Sequence, residues 1–534
     1  MNDAAVNDAA GTGAAENEAV AQITAGYTFQ EAAIELGVLV EDGSPVPDAR
    51  IRIPLGMLNR HGLVAGATGT GKTKTLQLMA EQISSAGVPV FAADIKGDLS
   101  GLANPGEASE KLSQRTQAIG QDWQAQGNPV EFYALGGEGQ GIPLRATVSS
   151  FGPLLLSKVL GLNATQESSL GLVFHYADSQ GLALLDLEDL QALLSWLTSD
   201  EGKAELKGIG GLSSATAGVI LREIVTLASQ GAEAFFGEPE FESKDLLRVA
   251  DDGRGVISML ELPNLSDRPA LFSTFLMWLL ADLFHELPEV GDVDKPRLVF
   301  FFDEAHLLFD GASKDFMDSI AQTVRLIRSK GVGVFFVTQT PKDVPDDVLA
   351  QLGSRVQHQL RAHTPNDAKA LKQTVATFPK SHYDLAEALQ QLGIGEAIVT
   401  VMDPDGAPTP VAWTRMQAPQ SLMGPCPEAE LQQIVQSSPL QANYGQEINR
   451  ESAYEILTAK IRAAADAAAA EEAAKEQAKL DKQRAAQERA SAPRGRARQD
   501  KGMVETVVES SAFKQFARSA GRQVVRSLFG TRRR

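Results

Sequence analysis

Two short stretches of this chain carry residue types whose spacing could do chemistry. The first is Gly66-Ala67-Thr68-Gly69-Thr70-Gly71-Lys72-Thr73, which matches G-x-x-x-x-G-K-[ST] at every fixed position. Glycines at these places let a loop turn tightly enough to aim its N–H groups at phosphate oxygens, and a following helix adds the positive end of its dipole. Lys72 is then expected to reach the β- and γ-phosphates of ATP, and Thr73 to ligate Mg²⁺. The second is Asp303-Glu304, two carboxylates emerging from the apolar run LVFFF at 298–302. Beside a phosphate loop such a pair suits hydrolysis, with Asp303 holding Mg²⁺ through water and Glu304 orienting and polarising the attacking water. Gln339 ends another apolar run and suits a γ-phosphate sensor if its strand lies between the other two; otherwise it makes a loop hydrogen bond. Asp94 ends a run next to the phosphate-loop strand. It is read either as a contact to the water or metal or as a turn former.

These groups need strands and helices that bring them to one edge. HGLVA at 61–65 suits a buried strand, and the residues after Gly71 repeat apolar side chains at helical spacing (Leu76, Met79, Ala80, Ile83) before Gly87 stops them. Further strands are expected at 88–93, 255–262, 298–302 and 332–337, with an amphipathic helix over 269–286 and another over 315–330. Residues 27–59 read as a small β-rich entry, and 395–402 with 410–414 as a closing hairpin. The pattern predicts an α/β fold with a largely parallel sheet. Its boundaries are a disordered leader over 1–25, a core of 26–100 and 252–435, an α-helical insertion over 101–251, a helical extension over 436–490, and a basic linker with an amphipathic tail helix over 491–534.

Charge narrows the choice of partner. The formal net charge is −19, yet residues 494–534 carry eleven basic against three acidic side chains, which leaves the remainder near −27. An acidic body confines any DNA or RNA contact to loops, a pore or the tail. The cationic helix expected over 504–528 could bind nucleic acid, a protein partner or an anionic membrane, or could pack on the body. One cysteine, Cys426, leaves no internal disulfide and favours a cytoplasmic location. The longest nearly apolar run, 271–284, is too short to span a bilayer, and the first twenty residues lack a signal-peptide pattern.

GATGTGKT (66–73), DIKGD (94–98), LVFFFDEAH (298–306) and FFVTQTP (335–341), in this order, resemble the HerA/FtsK branch of P-loop ATPases, and most nearly the bacterial HerA-like proteins. Those proteins also carry a segment like 438–455. The resemblance implies a RecA-like P-loop core and a homo-oligomeric, hexameric ring, with ATP bound between subunits and DNA drawn through the centre. It further implies that Arg60 is offered to a neighbour's nucleotide and that Arg328 acts within its own subunit; a surface arginine paired to a helix end is the alternative for each. The chain departs from well-studied members in having only about 45 residues between leader and phosphate loop, too few for their N-terminal β-barrel domain.

Other nucleotide classes fit less well. No N-K-x-D base-reading motif is present, and the DEAH tetrapeptide lacks the second helicase domain that its class requires. Two functions stay open: a Mg²⁺-dependent ring ATPase moving nucleic acid, and an ATP-dependent switch or assembly protein that engages a protein partner or membrane through its tail.

Overall fold

A computed structural model describes residues 18–135, 139–206, 208–262, 269–291, 293–309 and 314–491. The tail helix expected over 504–528 and the linker at 492–501 lie outside the described residues. The chain divides into two compact units, residues 1–461 and 462–534.

The first unit is built on one sheet. Its strands are β1 (Ala33–Glu41), β2 (Ser44–Pro54), β3 (Gly62–Ala65), β4 (Val90–Asp94), β5 (Val130–Leu135), β6 (Ile142–Leu144), β7 (Ile257–Glu261), β8 (Leu298–Phe302), β9 (Val332–Thr338), β10 (Ser354–Gln357), β11 (Glu396–Thr400) and β12 (Ala412–Met416). Among the described residues their order is β2-β1-β12-β11-β10-β3-β9-β8-β4-β7-β5-β6. From β10 to β6 every neighbouring pair is parallel, and from β2 to β10 every pair is antiparallel. The α/β class with a largely parallel sheet is therefore borne out. The β-rich entry and the closing hairpin are the antiparallel end of this same sheet.

The central strands are near-continuous apolar runs because both their faces are covered. Alternate residues enter two separate cores. Leu298, Phe300, Phe302, Val334 and Phe336 face one, and Val299, Phe301, Phe335 and Val337 face the other. The first core is closed by helices α2 (Val148–Val159), α3 (Ala164–Gln180), α4 (Leu187–Thr198), α5 (Ser214–Ser229), α6 (Pro269–Glu286) and α7 (Lys314–Ile327). The second is closed largely by α1 (Lys72–Ser85).

Three expectations are corrected. The stretch 101–251 is not purely helical, since β5 and β6 add two parallel strands to the sheet's edge. Helix α6 is not amphipathic: six consecutive residues, Phe275, Leu276, Met277, Trp278, Leu279 and Leu280, are all buried, so apolar side chains are covered on every side of the helix. It lies within the helical layer and packs on α2 and α7, so water reaches little of it. The disordered leader expected over 1–25 does not hold for residues 18–25: residues 18–26 are helical, Ile23 is 2% exposed in the second core, and Val20 packs against that core.

The segment 438–455 ties back onto the helical layer. Tyr444 donates to Asp245 at 2.7 Å and its ring meets Phe241, and the N–H of Tyr454 donates to the buried Asp189 at 2.7 Å. The helix Ala453–Ser491 continues into the second unit, where its residues from 462 on are exposed wherever described.

Candidate nucleotide site

The loop 66–73 leaves the carboxyl end of β3 and enters α1. Gly69 and Gly71 have φ of +80° and +120°, conformations that only glycine adopts without strain. At Gly71 a side chain would also press on the backbone of Gly395, 3.2 Å away. Gly71 caps α1 with no side-chain hydrogen bond, so no side chain of the cap satisfies the first-turn N–H groups. This uncapped terminus, with Lys72 beside it, fits a phosphate group. The Lys72 ammonium is 2.7 Å from the Gly66 carbonyl and 3.2 Å from that of Ala67, to which it donates. Burial lowers its pKa, against the pull of Glu304 and Asp303.

Strand β9 lies between the phosphate-loop strand and the Asp-Glu strand. Its end holds the two chemical stretches together: the Thr338 carbonyl accepts from the Gly66 N–H at 3.2 Å, and the Val337 carbonyl from the Ala305 N–H at 2.9 Å. Gln339 follows at once, exposed, on a cleft of about 450 Å³ lined also by His306, Phe309, Thr340 and Asp343. Its strand thus occupies the place that the sensor reading requires.

Asp303 and Glu304 are 5% and 4% exposed. Burial, then the neighbouring Glu304, raises the Asp303 carboxyl to about 6. Glu304 has φ +47°, a left-handed conformation unusual for a side chain of this size. Its own N–H donates to Asp303 Oδ1 at 2.8 Å. Glu304 Oε1 is bound by the Lys96 ammonium. Oε2 lies 3.2 Å from His306 Nδ1 but off hydrogen-bonding geometry, and it is buried with no donor. Burial would raise the Glu304 pKa, but Lys96 outweighs it and the net shift is downward.

Among the described residues no group of three or more His, Cys, Asp or Glu could hold a metal by itself. A hydroxyl (Thr73) and a buried carboxylate (Asp303) are hard oxygen donors. They suit an Mg²⁺ that keeps waters and takes the remaining ligands from phosphate.

Not every expected residue arrives. Strand β4 is separated from the phosphate-loop strand by β8 and β9, so Asp94 is not its neighbour. The Asp94 carboxylate instead accepts from the N–H groups of Lys96, Gly97 and Leu99, which is the turn-forming alternative. Arg60 lies two residues before β3 and Arg328 four residues before β9. Both therefore sit at the amino edge of the parallel strands, with the loop 66–73 at the other edge. Seven residues of β9 separate those edges by about 20 Å. Arg328 consequently does not fit a role at its own subunit's phosphates: the crossover α7 descends from the Asp-Glu edge and ends at the far side. Nor does Arg60 meet the site within one chain.

Two cations that do meet it had no assigned role. Lys96, within DIKGD, binds Glu304. The guanidinium of Arg361, on an exposed side chain beyond β10, lies 3.4 Å from the Thr68 carbonyl. Position just beyond a parallel strand's carboxyl end was the available signal for both. The buried His358 completes this side, with Nε2 2.9 Å from the Thr75 hydroxyl and Nδ1 2.8 Å from the Glu396 carbonyl. Burial lowers its pKa to about 4, so it is neutral and joins α1 to β11.

A family model described as Helicase HerA-like C-terminal matches residues 40–534. Two curated relatives are similar in sequence. The DNA double-strand break repair helicase HerA of Saccharolobus solfataricus is 21% identical over 377 residues, covering 69% of this chain and 66% of that protein. Probable helicase MJECL08 of Methanocaldococcus jannaschii is 31% identical over 153 residues, covering 27% and 28% respectively. The chain thus spans just under two thirds of one relative's length and about a quarter of the other's. Among solved structures, the bacterial conjugative coupling protein TrwBdeltaN70 in its unbound monoclinic form superposes with a TM-score of 0.50 at 15% identity, over 76% of this chain and 94% of that one, a likeness of fold.

Proposed function

The chain belongs to the helicase HerA-like C-terminal family, and from that premise we propose that it is a Mg²⁺-dependent ATPase, a ring-forming motor that acts on DNA. The observation that carries the proposal is the convergence at one sheet edge. An uncapped phosphate loop and a buried Asp-Glu pair are joined through the end of β9, and one oxygen of Glu304 is left without a donor. That oxygen is a buried acceptor for a water molecule. Lys72 and the N–H groups of the loop would bind the phosphates, Gln339 would meet the γ-phosphate, and Glu304 would orient the water. Mg²⁺, held by Thr73 and Asp303, would neutralise charge on the phosphates.

The family resemblance and the likeness to the DNA double-strand break repair helicase HerA of Saccharolobus solfataricus support DNA as the polymer. Arg60, exposed to no phosphate of its own chain, keeps its proposed role only at a neighbour's nucleotide. A cytoplasmic location belongs to the same reading and is supported by the single, buried cysteine. No described helix is long and apolar enough to cross a membrane.

ATP turnover measured with and without duplex DNA tests the proposal. Turnover should rise with DNA and fall at least 100-fold in Lys72→Ala; an unchanged Lys72→Ala rate would sink it. The charge contrast between an acidic body and a basic tail also supports the second reading, an ATP-dependent switch acting through the tail on a protein or membrane. That reading gains if Glu304→Gln keeps ATP binding and full partner capture.

A further inference from the structure

Lys96 is the cation in direct contact with Glu304, and neither the phosphate loop nor the carboxylate pair explains why it is there. Three observations define its setting. First, the turn that carries it is built from below: Asp94, 1% exposed at the end of β4, accepts from the N–H of Lys96 at 3.2 Å, Gly97 at 2.8 Å and Leu99 at 2.8 Å. Gly97, at φ +74°, supplies the left-handed position that this turn needs. Second, the Lys96 ammonium binds Oε1 of Glu304, whose side chain is 6% exposed, while 46% of the lysine side chain remains accessible. Third, Oε2 of the same carboxylate is buried and accepts no hydrogen bond, with His306 Nδ1 at 3.2 Å but off hydrogen-bonding geometry.

A glutamate has three side-chain torsions, and a carboxylate free to rotate would present either oxygen, in many orientations, to a water. An anchor on one oxygen removes most of that freedom. Strand β4 flanks β8 on the side away from β9, so the anchor approaches Glu304 from the side opposite the phosphate loop. The unanchored oxygen is left for the reacting water.

We propose that Lys96, carried on a turn built by Asp94, is a positioning residue for ATP hydrolysis: it fixes Oε1 of Glu304 so that Oε2 receives the attacking water. The proposal rests on the ATPase reading given above. It also gives Asp94 its place in the chemistry, at one remove, through the backbone of the turn rather than through metal or water.

The test uses the full chain and four variants, Lys96→Met, Lys96→Arg, Glu304→Gln and the double variant Lys96→Met/Glu304→Gln. ATP turnover is measured with and without DNA, and binding with a fluorescent ATP analogue. Lys96→Met is expected to lower kcat by about 10- to 100-fold, with KM and analogue affinity within about threefold of wild type. Lys96→Arg should recover most of the rate, since a guanidinium can hold the same oxygen. The double variant should be no slower than Glu304→Gln alone, because the lysine acts only through that carboxylate. Since Lys96 is half exposed, melting temperatures should match, and a variant that melts early is replaced by Lys96→Gln. A Lys96→Met rate equal to or above wild type overturns the proposal, the faster case making the ion pair a brake. Loss in affinity instead of kcat, or losses that multiply in the double variant, overturn it equally. If Glu304→Gln itself turns over ATP at the wild-type rate, Glu304 does not position the water and this proposal falls while the ATPase reading stands; if the wild-type chain turns over no ATP, the ATPase reading fails first.

Discussion

Asp303 shows how burial changes a carboxylate that the proposed function places at a metal. Its carboxyl titrates at about 6 because it is desolvated and faces Glu304. Protons and Mg²⁺ compete for the same oxygens, so in the metal-free chain the carboxylate is available above about 6 and progressively lost below it. Mg²⁺ affinity, with ATP saturating, should therefore fall up to about tenfold per pH unit below 6 and level off above 7. Calorimetric titration at pH 5, 6 and 7.5 reads this directly. Asp303→Asn should bind weakly with little pH dependence, and a wild-type affinity flat from 5 to 7.5 would remove Asp303 from the metal site. At this scale the sequence was informative where chemistry depends on covalent spacing. Gly66 to Thr73 are neighbours in the chain, and so are Asp303 and Glu304. The contact between Lys96 and Glu304 joins residues 208 apart, and no spacing rule connects them.

Elements were legible where one physical constraint dominates. The buried parallel strands announce themselves by continuous apolar runs, and α1 by its spacing and the stop at Gly87. Tertiary setting decided the rest. The pattern over 269–286 looks like a surface helix, but α6 packs among α2 and α7 within the helical layer. β5 and β6 lay hidden in a stretch dominated by helical periodicity. Two carboxylates, one fully buried and one half-buried, show what desolvation does at the ends of elements. Asp189, fully buried at the start of α4, accepts from the N–H groups of Leu185 and Asp186 and, from the distant segment 438–455, from that of Tyr454. Asp189→Ala leaves these donors buried and should cost about 2–4 kcal/mol in urea unfolding; a change under about 1 kcal/mol would mean that the segment is held by its apolar contacts. Glu261, at the end of β7, has its carboxyl raised from 4.5 to about 8 by burial, then by the charge of Asp94. Between those values the folded chain keeps a proton that the unfolded chain releases, so this group's contribution to stability is complete below about 4.5 and declines as pH rises to 8. Glu261→Gln cannot ionise. It should match wild type at pH 5 and exceed it by about 2 kcal/mol at pH 8, and equal stability at both pH values would contradict the buried-acid assignment.

At the scale of the whole molecule the problem is electrostatic. The proposed motor would have to approach a polyanion, and outside residues 494–534 this chain carries a net charge near −27. The tail, at +8, is the one long stretch of the sequence with the opposite sign. If it supplies the phosphate contacts, affinity for duplex DNA should fall steeply with salt, because each neutralised phosphate releases condensed counterions. The slope of log affinity against log salt should then become shallower by roughly 0.9 for each contact removed with the tail. Fluorescence anisotropy on the full chain and on a chain ending at residue 493, at several salt concentrations, gives both slopes. The shortened chain should keep its ATP turnover without DNA, because the phosphate loop, the Asp-Glu pair and Lys96 all lie in the first unit. Loss of DNA binding with turnover retained would separate the engine from its grip. Equal slopes for the two chains would instead place the DNA contacts on loops facing the centre of the proposed ring, where a local cluster of cations could act despite the acidic body.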